Sequence, residues 1–406
     1  MARILTFNHK IINPGSNRYF GTFQCVPTSY TITIVQPQNG TITAPASARA
    51  GDIVTLSCTP DTGYILQYFT VNGSKIQGDS FVMPDSDVAV SASMDVAPIV
   101  LPTNTIRVKY AQGAEPAEGS AYGSRLWDSR TLVDQTDNIW DLTRNDGNWE
   151  AMFWGNVSNP SQGTVLEVIA ANLSNVSNTT SMFSYQGNLT SVKEVTTSST
   201  LTTTSSMFSK CSSLSRVDLF NTENVTNFRY MFQNCSSLQT IPNFDTSNGT
   251  NFQGTFENTG ITTAPNIDTS SATTFEAMFN GCSRLTAIPQ YTATHVTTTQ
   301  NMFAGCTSLG VVTMFDTSSV TNFSYMLSGC SGLTRIPTFI ISSGDCTISW
   351  MFYNCSNVES GMLDLYNQFS QIPPASTYKY QGVFRNCGTN TVTGQAELAQ
   401  IPSDWK

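Results

Sequence analysis

Apolar and polar positions follow two different patterns along this chain. Between residues 30 and 96, apolar side chains alternate with polar ones over short runs separated by turn residues, which is typical of β-strands. From residue 152 onward, apolar residues instead recur at fixed places within blocks of 23–25 residues. The first pattern predicts a small β module. The second predicts stacked repeats, each of which contacts only its neighbours.

Five strands are predicted in the β module, in the segments TITIV, GTITA, DIVTLSC, YILQYFTVNG and VAVSASM. The dipeptides Asn39-Gly40 and Asn72-Gly73 predict hairpin turns, because both residue types tolerate the positive φ that such turns need. The alternation in DIVTLSC, with Val54 and Leu56, also places Cys58 on the buried face.

The repeats begin at a Met-Phe pair or at a close relative of it. Their starts are Met182, Met207, Met231, Thr255, Met278, Met302, Met326, Met351 and Val383. The last interval is lengthened by an insertion, and a degenerate copy begins at Met152. The array therefore contains about ten repeats, enough to bury a continuous core.

Each repeat carries local signals for its own secondary structure. The pattern SLTxIP predicts a strand that its proline ends, and VTNFxxMF has the apolar spacing of a short helix or helical turn. The aspartate of FDTS is predicted to cap that helix. Its slot holds Asn221, Asp245, Asp268, Thr292, Asp316 and Ile340. A calcium ladder is disfavoured, since only Asp245 and Asp268 lie in adjacent repeats.

One slot is a cysteine in seven repeats. Its members are Cys211, Cys235, Cys282, Cys306, Cys330, Cys355 and Cys387. Disulfides between adjacent repeats are open by distance, but the number is odd and Thr259 interrupts the series. A nucleophile would need a basic partner, and the chain has only two histidines. We favour buried free thiols that act as small apolar side chains.

The consensus MFxxCxSLTxIPxFDTSxVTNFxxMF resembles the BspA-like leucine-rich repeats of bacterial surface proteins and of proteins from gut bacteria and their phages. This resemblance implies a parallel-stacked solenoid used for adhesion or recognition, without catalytic residues. The motifs NGTIT, AGDIVTL, PDTGYIL, YFTVNG and FVMPDSDVAVSA resemble the divergent internalin-type B-repeat module. That resemblance implies a small β-grasp-like module of extracellular and virion proteins, used as a spacer or adhesion unit.

The fold class expected is therefore mainly β with short helices: a β-grasp-like module followed by a leucine-rich-repeat solenoid. The predicted domains are residues 1–29, 30–96, 97–151, 152–390 and 391–406. Residues 97–151 form a linker and a tryptophan-rich cap, and residues 391–406 cap the other end. The tryptophans Trp127, Trp140, Trp149 and Trp154 have a second interpretation, an aromatic platform for sugars.

Residues 1–29 are too short to fold alone, and they contain the candidate anchor residues Ile4 and Phe7. This segment either docks on another protein or supplies a strand to the β module. No classical signal peptide follows the first methionine, so we expect folding in a cytoplasm.

Composition narrows the function classes. The net charge is −9 and charged residues make up only 12% of the chain, which argues against a nucleic-acid partner. No apolar run is long enough to span a membrane. No catalytic constellation, metal site or cofactor site is evident, so an enzyme is not predicted.

Two kinds of particle could bear this protein, and both of these carriers remain open. The first is the virion of a tailed phage, as a head fibre, capsid decoration or tail-attached adhesin that is assembled in the host cytoplasm. Its partners would be capsid or tail proteins, reached through the N-terminus, and a host surface protein or glycan. A homo-oligomer such as a trimer is the assembly expected of a fibre. The second carrier is the bacterial cell surface.

The candidate binding face lies in and around LTxIP, where side chains vary between repeats. It consists of Gln239, Thr240, Thr286, Thr334 and Arg335. Neutral hydroxyls and amides in this set suit a carbohydrate or a glycan-coated target. In a stack of repeats these slots recur on one extended face.

Overall fold

The computed structural model describes residues 28–61, 64–97, 99–112, 129–143, 165–218, 220–313, 315–340, 346–370 and 377–406. The chain divides into two compact units, Met1–Pro98 and Ile99–Lys406. In the described ranges the protein is mainly β, with two α-helices. None of the sheets in these ranges closes on itself.

The first unit is a β module. Its strands are β1 (Ser29–Ile34), β2 (Gly40–Thr43), β3 (Ser47–Arg49), β4 (Ile53–Thr55), β5 (Ser57–Pro60), β6 (Tyr64–Val71), β7 (Ser74–Lys75), β8 (Ser80–Val82) and β9 (Val88–Val96). The largest sheet has the order β3-β1-β9-β6-β7, and β1 pairs parallel with β9. All five predicted segments contain a strand, although DIVTLSC is divided between β4 and β5.

The core of the module comes from the alternation seen in the sequence. Its fully buried members are Ile32, Ile42, Val54, Leu56, Phe69, Met83, Val88 and Val90. The Asn72-Gly73 turn joins β6 to β7 as predicted, with φ of 50° and 77°. The Asn39-Gly40 prediction was wrong, because Asn39 leads into β2 and that strand pairs with β5 rather than with β1.

The second unit begins with an antiparallel sheet and continues as the repeat array. Its strands are β10 (Thr105–Tyr110), β11 (Ser129–Asp134), β12 (Ile139–Thr143), β13 (Val165–Leu173), β14 (Ser191–Val192), β15 (Val195–Thr197) and β16 (Arg216–Val217). Strands β11, β12, β10 and β13 pair antiparallel in that order. Strand β13 then pairs parallel with β14 and β15, so the direction of pairing changes where the repeats begin.

The helices lie near the C-terminus. They are α1 (Met362–Ser370), α2 (Val392–Ala399) and two short 3₁₀ turns, Thr377–Tyr380 and Ser403–Trp405. The 32-residue interval before Val383 contains α1, which explains the lengthened repeat. The carboxylate of Glu397 on α2 accepts the backbone N–H of Met362 at 2.9 Å, which satisfies a free donor at the start of α1.

Consecutive repeats lie side by side in parallel. One unbroken series of single β-bridges joins equivalent residues in eight repeats. Its members are Asn178, Thr203, Asn227, Asn251, Thr274, Thr298, Asn322 and Thr347. This series runs through the Asn slot of VTNF. At the LTxIP slot, where a strand was expected, the described residues show only β14, β16 and two single bridges, Thr263↔Ala287 and Arg335↔Ser360.

The Met-Phe segment forms consecutive turns, so the short helix that was one of its two predictions is wrong. Met182 and Ser184 each donate their backbone N–H to the carbonyl three residues earlier. The residues that alternate with them, Ser181, Phe183 and Tyr185, donate to the next repeat instead, as in the 2.9 Å bond from Phe183 N–H to the Met207 carbonyl. The residue before each Met slot has positive φ, for example 54° at Ser181, which a helix does not allow.

Apolar side chains stack in columns through the array. The longest aromatic column is Phe183, Phe208, Phe232, Phe256, Phe279 and Phe303, all between 0% and 3% exposed. The centroids of neighbouring rings are 5.4–6.1 Å apart, and the ring planes are nearly parallel, with interplanar angles of 2–16°. Offset stacking of this kind adds to the free energy of burial.

The last repeat is covered by the C-terminal residues. Trp405 is 5% exposed and stacks on Phe384 with a centroid distance of 6.2 Å. Tyr380 lies parallel to the same indole at 4.8 Å. The backbone N–H of Phe384 donates to the Trp405 carbonyl at 2.9 Å, as earlier repeats donate to the repeat that follows them.

Replacing Phe279 with alanine is expected to lower the free energy of unfolding by about 3–5 kcal/mol, because the cavity opens between two stacked rings. Urea unfolding followed by circular dichroism measures the change. The matched control is Val311→Ala. Val311 is 70% exposed, so its loss should change stability by less than about 0.5 kcal/mol. Equal effects of the two substitutions would contradict the stacked column.

Candidate functional site

The five candidate face residues are all exposed. They belong to three repeats that alternate with two others: Gln239 and Thr240 follow Met231, Thr286 follows Met278, and Thr334 and Arg335 follow Met326. In the two repeats between them, the slot of Thr286 and Thr334 is filled by Thr262 and Gly310. One repeat therefore separates each of these three groups of residues from the next.

Two of these residues also hold repeats together. The Thr286 hydroxyl donates to the Thr262 carbonyl at 3.0 Å, and the Thr334 hydroxyl donates to the Gly310 carbonyl at 3.5 Å. The backbone N–H groups of the same two threonines donate to the same carbonyls. These hydroxyls consequently have a structural partner as well as access to solvent.

Hydroxyl groups make similar bonds throughout the array. The buried threonines Thr222, Thr246, Thr269 and Thr317 each donate to a carbonyl of the next repeat at 2.6–2.8 Å. On the surface, Thr250 and Thr273 donate to the preceding repeat at 3.2 Å and 3.0 Å. The Ser/Thr-rich composition therefore satisfies backbone carbonyls between repeats, which the sequence did not reveal.

The cysteine ladder, defined as the seven cysteines of the shared slot, is completely buried. Six of its thiols donate to a carbonyl in the preceding repeat at 3.0–3.2 Å, as Cys306 does to Phe279. Thr259, in the same slot, donates instead to the Phe256 carbonyl of its own repeat at 2.9 Å. All nine cysteines in the described ranges are free, including the buried Cys346 outside the ladder.

Burial keeps these thiols protonated. It raises the pKa of Cys235 and of Cys355 to about 12, and it raises the pKa of Cys306 and of Cys330 well above the ordinary value. A thiolate is the reactive form of cysteine, so the ladder is chemically inert in the folded protein.

The aspartate slot forms Asx turns rather than helix caps. The carboxylates of Asp245, Asp268 and Asp316 accept the backbone N–H two residues later at 2.8–3.0 Å, and turns follow instead of a helix. These bonds lower the pKa of Asp245 and of Asp316. Because both pKa values are depressed, the contribution to stability is present above the ordinary pKa and is lost as pH falls through the lowered one.

Three of the four tryptophans weighed as a sugar platform, Trp127, Trp149 and Trp154, lie outside the described residues, as do Ile4, Phe7 and Met152. Trp140 is partly buried against the core of the second unit, and its indole N–H donates to Asn138 Oδ1 at 2.9 Å. Cys58 is half-buried in the module, with its sulfur 3.9 Å from that of Met94.

Within the described ranges, no group of His, Cys, Asp and Glu side chains is arranged to hold a metal ion. The helices in those ranges are too short or too polar to cross a membrane.

An aromatic cluster that the sequence did not single out lies on the turn segments of the last repeats. Tyr325 and Trp350 stack with centroids 6.3 Å apart and an interplanar angle of 9°. Tyr353 meets Trp350 edge-on at 5.4 Å, and the Arg385 guanidinium lies 5.6 Å from the centre of the indole. Tyr325 and Trp350 occupy the same slot in adjacent repeats, the signal that could have identified the pair.

Comparison with known families agrees with the division of the chain into a β module and a repeat array. Residues 148–267 and 260–365 match the family model described as "Mycoplasma protein of unknown function, DUF285", and together these matches cover more than half of the chain. The chain therefore belongs to that family. Residues 30–97 match the divergent InlB B-repeat domain. No curated protein and no solved structure matches the chain.

In a Cys25→Ser background, a thiol reagent such as dithionitrobenzoate is expected to label only Cys58 in the native protein. The other eight described cysteines are buried and should react only in denaturant. Tryptic mapping of the labelled peptides gives the measurement. Cys58 serves as the internal control for reagent access, and labelling of Cys306 at the same rate as Cys58 would contradict a sealed ladder.

Proposed function

We propose that this protein is a non-catalytic recognition protein whose repeat array binds a surface protein or glycan of a host cell. The observation that carries the proposal is the contrast between the inside and the outside of the array. Inside, Met, Phe, Cys and Leu recur in register from repeat to repeat. Outside, equivalent slots hold different side chains on a regular frame, as binding surfaces of repeat proteins do.

The finer architecture proposed is a leucine-rich type of solenoid. Its support is the unbroken series of parallel bridges together with the buried residues Leu189, Leu214, Leu238, Leu285, Leu309 and Leu333 in one slot. For the first unit we propose a β-grasp-like arrangement, supported by the parallel pair β1–β9 within an otherwise antiparallel sheet.

The carrier proposed is the virion of a tailed phage, as a head fibre, capsid decoration or tail-attached adhesin. Residues 1–29 would dock on a capsid or tail protein, and the assembly would be a homo-oligomer such as a trimer. The ladder of reduced thiols supports assembly in a host cytoplasm, because free cysteines persist in a reducing compartment.

A bacterial cell surface is the second candidate carrier, and the descriptions of the two matching families are its support. The matching family is described by a bacterial genus, and the first unit matches a domain named after an internalin. Both carriers would use the array in the same way, by presenting its outer side chains to a target.

Replacing Thr286 and Thr334 together with glutamate is expected to weaken attachment of the purified chain to target cells, because bulky charges would occupy the candidate face. Flow cytometry with the labelled chain measures attachment. The matched control is Thr286→Val with Thr334→Val, which removes the hydroxyl bonds to the preceding repeat but adds no charge. Attachment by the glutamate variant at the wild-type level would rule out this face.

The carrier is testable by mass spectrometry of particles and cells from a culture that expresses the chain. If the protein belongs to a virion, it will copurify with capsid proteins through a density gradient. A surface adhesin would instead be biotinylated on intact cells by a reagent that does not cross membranes. Absence from gradient-purified virions would exclude the first carrier.

A further inference from the structure

The residue just before each Met slot has positive φ in every described repeat, and it is half-buried or exposed in all but two of them, where it is a buried glycine. Its occupants are Ser181, Ser206, Tyr230, Gly254, Ala277, Asn301, Tyr325, Trp350 and Gly382. Six of the nine are small, so the backbone does not require a ring in this slot. The large side chains need another explanation, and two of the three are in adjacent repeats.

The three rings are not equivalent. Tyr230 lies over Gly254, where an added Cβ would come within 2.3 Å of the ring, and the Arg229 guanidinium lies 4.6 Å from its centre. Trp350 lies in the same way over Gly382, where an added Cβ would come within 2.7 Å of the indole. At Tyr230 a single ring packs on the glycine of the next repeat and has no second ring beside it among the described residues, so this ring only fills space at the surface.

Tyr325 departs from this arrangement. It rests on the Trp350 indole rather than on a glycine, and it stays 38% exposed. The slot before it holds Asn301, whose amide is too small to cover a phenol ring. Tyr325 therefore presents aromatic surface to solvent, and Trp350 behind it fixes the orientation of its ring.

Polar groups surround the rings. The amides of Asn354 and Asn386 are both exposed and bond to each other at 2.9 Å, next in sequence to Tyr353 and Arg385 respectively. The Arg385 guanidinium is exposed as well, held over the indole. A flat apolar surface beside amide and guanidinium donors is amphipathic. Rigid aromatic side chains also lose little conformational entropy when a ligand binds.

We propose that Tyr325, Trp350, Tyr353 and Arg385 form a glycan-binding site, named here the aromatic patch. The C–H face of a pyranose ring would pack on Tyr325, and its hydroxyl groups would bond to the Asn354 amide and the Arg385 guanidinium. A sugar satisfies both parts of the patch, because it is apolar on its ring face and polar at its edge. The inference rests on the proposed function, names its ligand class and places binding at a site separate from the LTxIP face.

The test uses the full chain and a panel of immobilised pyranose oligosaccharides made of hexoses, N-acetylhexosamines and uronic acids. The wild-type chain is expected to bind at least one of them. Replacing Tyr325 and Trp350 together with asparagine should raise its Kd about tenfold or more, since central aromatic residues dominate binding energies. Asparagine suits the positive φ of this slot, because Asn301 occupies it with φ of 57°.

The matched control is Tyr230→Asn, which removes a ring from the same slot outside the patch and should leave the Kd unchanged. Thermal unfolding checks that all variants are folded. If the wild-type chain binds none of the saccharides, or if the double variant binds as the wild type does, the proposal is wrong.

Attachment to cells separates this inference from the proposed function. Mild periodate, which oxidises sugars, should abolish attachment of the wild-type chain, and protease treatment of the cells should not. Attachment that survives periodate but not protease would leave a recognition function with a protein target and no glycan site. Saccharide binding without attachment to any cell would keep the glycan site and overturn the proposed function.

Discussion

The whole array depends on backbone hydrogen bonds that cross from one repeat to the next. In the Met-Phe segment, alternate N–H groups donate within the turn, and the others donate to the following repeat, as Phe279 does to the Met302 carbonyl at 2.9 Å. Buried backbone groups without partners are costly, so a repeat cannot satisfy its own turns alone. This requirement fixes the register of the stack, and the side chains follow from it.

Register explains why the interior repeats and why the chain has so few charges. Once equivalent atoms lie opposite each other, a ring in one repeat finds a ring in the next, and a Cys306 thiol meets the Phe279 carbonyl. Hydroxyls extend the same bonding outward, as Thr246 does to the Asp268 carbonyl at 2.7 Å. Identical charges in one slot would face each other along the stack and repel, whereas neutral donors can repeat without limit.

Sequence reasoning found the repeats because periodicity is a property of the chain itself. It identified the interval, the buried Met, Phe, Cys and Leu slots, and the strands of the β module. It left a short helix and a helical turn open for the Met-Phe segment, because an apolar spacing of three to four residues suits both, and the segment forms turns. The overlooked signal was the Asn and Gly residues at the slot before Cys, such as Asn234, Gly281 and Gly305, which favour positive φ.

The candidate site was harder to predict, because contacts between repeats depend on register rather than on sequence distance. Tyr325 and Trp350 are 25 residues apart in the chain yet stack directly. Nothing near either residue indicates this contact until the repeats are superimposed. The hydrogen bonds of Thr286 and Thr334 could not be predicted for the same reason, because their acceptors lie one repeat earlier.

The hydrogen bonds between repeats also determine which surface side chains can change without loss of the fold. A threonine that donates to the preceding repeat serves the stack, so replacing it alters stability together with the surface. In the slot before Met, these bonds do not require any particular side chain, since serine, glycine, alanine and asparagine all occupy it. Because the backbone there already makes the bonds between repeats, a ring such as that of Tyr325 can be removed without loss of these bonds, whereas a side chain at Gly254 or Gly382 would collide with the ring of the preceding repeat. Variation in binding should therefore collect in slots of this kind, on the outside of turns whose backbone holds the stack together.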